Sequence, residues 1–87
     1  MPREVVWITG ASAGIGKAVV EAYVRAGALV AATARPSERL DALAQAHEAV
    51  MAFPADITDG QAVKATVAAI EERLGPIDRA ILNAGTH

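Results

Sequence analysis

A chain of 87 residues holds at most one small domain with a single core. Hydrophobic residues make up 53% but aromatic ones only 3%, so the apolar content is mostly Ala and Val, which suits helices packed closely on a sheet. The formal net charge of -2, with Lys and Arg scattered, gives no basic stripe for nucleic acid, and the lack of Cys excludes a disulfide framework or a thiolate metal site. No apolar run approaches the roughly 18 residues of a membrane span, and the mixed-charge opening MPRE is unlike a signal peptide. A cytoplasmic protein without nucleic-acid or membrane partners is expected.

Residues 4–9 (EVVWIT) are a β-branched run that stops at Gly10, which predicts a buried strand entering a glycine turn. From Ile15 the spacing becomes helical. Ile15, Ala18, Val19, Ala22 and Ala26 share one face, Lys17, Glu21 and Arg25 lie elsewhere, and Gly27 sits where a helix-ending glycine belongs. Residues 28–33 (ALVAAT) show no polar alternation, which predicts a second strand buried on both faces. Ser37 can cap a helix through Leu40, Leu43 and Ala44, and residues 50–53 read as a third strand ended by Pro54. Thr58 and Gln61 have capping-box spacing, and Val63, Val67, Ile70 and Leu74 carry a helical stripe to Gly75-Pro76. Residues 79–83 form a fourth strand. Strands alternating with helices across short loops imply right-handed crossovers and an α/β, doubly wound parallel sheet (β-α-β-α-β-α-β) in the order 3-2-1-4, with the fourth strand at an open edge.

The stretch TGASAGIG at residues 9–16 has three chemical readings. A nucleotide-binding P-loop needs G-x-x-x-x-G-K-[ST], but here Ala11 replaces the first glycine and Ala18 the metal-binding hydroxyl. A hydrolase nucleophile elbow would make Ser12 the nucleophile. Only one strand precedes Ser12, however, and its acid and base would have to be Asp56 or Asp78 with His87. As a phosphate cradle, the glycines let the backbone turn and approach a pyrophosphate, whose charge meets the amides and dipole at the start of the next helix. The spacing is G-x-x-x-G-x-G, a variant of the common dinucleotide fingerprint, and a plain tight turn is the alternative.

Together with ADITD at residues 55–59 and GPIDRAILNAG at residues 75–85, this loop makes the chain resemble the short-chain dehydrogenase/reductase family along essentially its whole length. The resemblance implies a Rossmann-like fold in which Gly10, Gly14 and Gly16 line the cofactor phosphates and Ser12, Ala13 and Ile15 belong to the same loop. It also implies that Asp56 and Ile57 border the adenine, that Asn83, Ala84 and Gly85 lie beside a ribose, and that Thr9 ties the first strand to the NAG turn. Where family members often carry a second Asn before that turn, this chain has Leu82. Asp56 also reads as a turn aspartate, Asp78 as ordering a turn, His47 as a solvated surface residue, and Trp7 and Tyr23 as packing.

Cofactor choice in the family is written after the second strand, where an acid bonds the ribose hydroxyls of NAD and a cation meets the 2′-phosphate of NADP. Here the chain reads Thr33-Ala34-Arg35: no acid, and a planar guanidinium. NADP is therefore expected in preference to NAD, with a surface arginine as the alternative reading. The serine and Y-x-x-x-K pair that supply the family's proton are not found: Tyr23 is followed four residues on by Gly27, and the lysines are Lys17 and Lys64. The expectation is that residues 1–87 are the N-terminal part of one cofactor-binding domain, with no catalytic residue and no metal site of their own. The complete protein would be an NADP-dependent oxidoreductase, a homo-oligomer moving hydride between nicotinamide and a small carbonyl or alcohol. A self-standing nucleotide-binding or interaction module without catalysis is the alternative.

Overall fold

The computed structural model describes residues 3–12 and 14–83. The elements alternate as β1 (Val5–Thr9), α1 (Gly14–Arg25), β2 (Leu29–Thr33), α2 (Glu38–Ala46), β3 (Val50–Ala52), α3 (Gly60–Leu74) and β4 (Arg79–Leu82). The strands form one parallel sheet in the order β3-β2-β1-β4, as expected.

Alternation along β1 explains the layers. Val6 and Ile8 point to one face and join Val20 of α1, Val30 of β2 and Leu40 and Leu43 of α2. Val5 and Trp7 point to the other face and join Ala31, Phe53 and Ile70 of α3. A strand that buries both faces needs no polar alternation, which is why β1 and β2 read as continuous apolar runs. Trp7 is packing, as expected, and its indole N–H is satisfied by donating to Thr33 Oγ1 at 2.9 Å.

Two local expectations are corrected. The buried face of α1 runs through Gly16 and Val20, with Val19, Tyr23 and Val24 against the same cluster. Ile15 is 76% exposed, and Ala18, Ala22 and Ala26 are also exposed. The reason is Gly16: lacking a Cβ, it lets the helix settle against the end of β1, and this sets which stripe faces inward. The second correction concerns the start of α3. Its cap is Asp59, whose carboxylate accepts the N–H groups of Gln61 (3.0 Å) and Ala62 (3.4 Å). Thr58 instead donates its hydroxyl to Asp56 Oδ1. A carboxylate one residue nearer the helix than the Thr58 hydroxyl reaches two free amides and displaces the capping box.

Other signals act where they were placed. Ser37 Oγ accepts the Leu40 N–H at 3.2 Å and caps α2. Gly75, at φ 104°, ends α3 with its N–H on the Glu71 carbonyl. At the sheet edge, Leu82 of β4 is 70% exposed. Among the described residues no helix is long and apolar enough to cross a membrane.

Candidate functional site

Every strand of a parallel sheet ends at the same side, and there the loops of this chain are tied to one another. The Ala11 N–H donates to the Thr33 carbonyl at 3.2 Å, joining the glycine loop to the end of β2. The Ala55 N–H donates to the Ala34 carbonyl at 3.0 Å, joining the loop after β3 to the same place. From the other side, Asn83 Nδ2 donates to the Gly10 carbonyl at 3.4 Å, and Thr9 Oγ1 donates to the Asn83 carbonyl at 3.3 Å. Thr9 thus ties β1 to Asn83, the first residue of the NAG turn, as the resemblance implied.

Within the loop each glycine has its own cause. Gly10 and Gly14 both stand at φ 61°, where side chains are strained. Gly14 opens α1 at the surface, and a Cβ there would meet nothing within 4 Å. Gly16 has the opposite problem: its φ is ordinary, but a Cβ would collide with the Gly10 carbonyl oxygen and reach 3.0 Å from Asn83 Nδ2. The loop is therefore a tight turn against the sheet followed by a bare helix start, and the first turn of α1 carries no acid. Its free amides and positive dipole end face outward, a setting for negative charge.

Ser12 is half-buried in this loop, and among the described residues no carboxylate or histidine hydrogen-bonds its hydroxyl. Asp78, one candidate acid for a hydrolase, accepts the Val5 N–H on Oδ2 at 2.8 Å, so it sits beside the start of β1, at the opposite side of the sheet. Ala13, Ala84, Gly85 and His87 lie outside the described residues.

Arg35 follows β2 exposed to solvent, with no carboxylate within 4.0 Å among the described residues. Asp56, also exposed, accepts the Thr58 hydroxyl at 2.6 Å and the Thr58 N–H at 2.9 Å. Those two bonds, and more weakly the charge of Arg35, hold its carboxyl below the ordinary value of 3.8. Asp56 thus orders its own turn while standing within the field of Arg35, and the neighbouring Ile57 is 41% exposed.

One feature escaped the sequence reading. A groove of about 470 Å³ runs between α1 and α2 beside the glycine loop, with Ser12 and Gly14 at one end and Lys17 and Arg39 among its lining. At its other end His47, expected to be solvated, is half-buried with Nε2 3.8 Å from Glu21 Oε2. The available signal was Lys17 itself, a cation in a helical first turn without an acid beside it. Among the described residues no group of three or more His, Asp or Glu could hold a metal ion.

The pattern that defines the short chain dehydrogenase family matches residues 4–87. A gluconate 5-dehydrogenase of Gluconobacter oxydans is 45% identical over 82 residues, covering 90% of this chain and 32% of that protein. A fatty acyl-CoA reductase of Mycobacterium tuberculosis is 40% identical over 82 residues, covering 90% of this chain and 28% of that protein. The crystal structure of L-sorbose reductase from Gluconobacter frateurii, complexed with NADPH and L-sorbose, superposes with a TM-score of 0.89 at 31% identity, covering 98% of this chain and 34% of that one. The chain thus spans about a third of the length of these relatives. With the family's pattern covering residues 4–87 and the fold shared with a solved relative, the chain belongs to the short-chain dehydrogenase family.

Proposed function

We propose that this chain is the cofactor-binding part of an NADP-dependent oxidoreductase that moves hydride between nicotinamide and a small carbonyl or alcohol. The observation that carries the reading is the pairing of an acid-free helix start at Gly14 with an exposed Arg35 after β2, where Ala34 leaves no carboxylate to prefer ribose hydroxyls. The residues present fit such a group. Gly10, Ser12, Ala13, Gly14, Ile15 and Gly16 would take the pyrophosphate at the start of α1, and the open space at Gly14, where a Cβ would meet nothing within 4 Å, leaves room for a backbone approach. Arg35 would offer a charged fork to the 2′-phosphate. Asp56 and Ile57 would border the adenine, and Asn83, Ala84 and Gly85 a ribose. When bound, the nicotinamide supplies the hydride.

What these residues do is bind and orient. No proton donor for a carbonyl is found among them, so we assign that group, and the substrate pocket, to the remainder of a longer protein in which residues 1–87 are the N-terminal part of one domain. A cytoplasmic homo-oligomer remains the expected setting. Supporting the cofactor reading, the L-sorbose reductase to which the chain is similar was crystallised with NADPH.

The test is a titration of NADPH and NADH against the full-length protein and its Arg35→Ala variant. Losing one charge-assisted contact is worth roughly 1.5–3 kcal/mol, so affinity for NADPH should fall about 10- to 150-fold while that for NADH changes little. An unchanged affinity ratio would remove the assignment.

A further inference from the structure

The groove between α1 and α2 opens beside the glycine loop, with Lys17 and Arg39 on its two walls near Ser12 and Gly14. Both cations lie in the first turn of their helices, and helical side chains lean back toward the N-terminus of their own helix. Because α1 follows β1 and α2 follows β2, that direction carries both toward the side of the sheet where Gly10 and Arg35 stand. The placement opposes the helix dipole, which favours acids at this end; α1 has none in its first turn, whereas α2 carries Glu38 and Asp41 there, neither of which lines the groove. Both side chains are exposed, and among the described residues neither has a carboxylate within 4.0 Å. The acid on the groove wall, Glu21, lies one turn farther along α1 and faces His47 at 3.8 Å. The end of the groove next to the loop is thus cationic, and the far end is balanced.

Charge decides what that end would take. Arg35 supplies a single positive charge, less than a phosphomonoester, which carries roughly −1.5 to −2 at neutral pH, requires for balance. Lys17 and Arg39, on the groove beside the loop, supply the charge that Arg35 alone does not. We propose that Lys17 and Arg39 are specificity-determining residues that share the ribose 2′-phosphate of the cofactor with Arg35, reaching it from the groove between α1 and α2. This deepens the NADP reading above and rests on it.

Calorimetric titration of the full-length protein with adenosine 2′,5′-bisphosphate and with adenosine 5′-monophosphate isolates the 2′-phosphate from the rest of the cofactor. The variants are Arg39→Ala, Lys17→Ala, their double combination, Arg39→Lys, and Arg35→Ala. The bisphosphate-to-monophosphate affinity ratio should fall about tenfold in Arg39→Ala and further in the double variant, with Arg39→Lys retaining most of it. Far-UV circular dichroism of each variant should match wild type, since both side chains are exposed. A ratio unchanged in the double variant but lowered in Arg35→Ala would overturn this proposal and leave the NADP reading standing. A wild-type protein that does not prefer the bisphosphate would overturn both.

Discussion

A methyl group on residue 16 would run into the Gly10 carbonyl, so Gly16→Ala must pry the start of α1 away from the end of β1. We expect a loss of about 1–3 kcal/mol, the usual cost of overpacking. Gly14→Ala meets open space but must hold φ 61°, a strain of about 1–2 kcal/mol without any collision. Urea unfolding midpoints check both, and a Gly16→Ala variant as stable as wild type would contradict the packing described. Asp56 offers a pH test. Its carboxyl is held below 3.8 in the folded chain by the Thr58 hydroxyl, the Thr58 amide and Arg35. A depressed acid stabilises the fold above its unfolded value and loses that stability as pH falls through its folded one. Asp56→Ala should therefore be less stable than wild type at neutral pH, and the gap should close below about pH 3.8, measured by thermal unfolding across pH. The glycines were legible because their spacing follows a strand and precedes a helix. For Asp56 the turn was legible from residue type, but its proximity to Arg35 depends on two loops meeting across the sheet, which no local pattern records.

Among the elements, the strands and two of the helix ends were readable because each is written in local chemistry: the β-branched run of β1 stops at Gly10, Ser37 caps α2, and Gly75 closes α3, whereas at the start of α3 the Asp59 carboxylate displaces the Thr58 capping box. The inward face of α1 was not readable. In α1, whose small apolar residues fall on more than one face, the stripe through Ile15, Ala18 and Ala22 is about as apolar as the stripe through Val20 and Val24, and the choice falls to Gly16, whose contact lies in another element. The groove went unseen for the same reason, since its walls come from two helices. The β4 edge carries a prediction of its own. Arg79, Ala80 and Leu82 are exposed on a strand that, among the described residues, pairs on one side only, with β1. Such an edge offers free amides and carbonyls to another chain. The polypeptide of residues 1–87 made alone should self-associate, with apparent mass rising across a light-scattering concentration series. A monomer at all concentrations would contradict this.

At the scale of the whole molecule, parallel topology is what turns scattered motifs into one place. Because all four strands point the same way, the residues after β1, β2, β3 and β4 emerge at one side of the sheet and are stitched there by Ala11 to Thr33, Ala55 to Ala34, and Asn83 to Gly10. The order 3-2-1-4 was legible from alternating strands and helices with short loops, because right-handed crossovers leave few other arrangements. The central claim is that the loop from Gly10 to Gly16 holds the phosphates of a dinucleotide. Its most direct test is calorimetric titration of NADPH into the full-length protein, comparing Ser12→Asp with Ser12→Asn, two side chains of nearly equal size that differ in charge. Like charges a few ångströms apart repel by about 1–4 kcal/mol in this range of dielectric. Ser12→Asp should therefore bind NADPH at least about fivefold more weakly than Ser12→Asn. Equal binding by the two variants would contradict the claim.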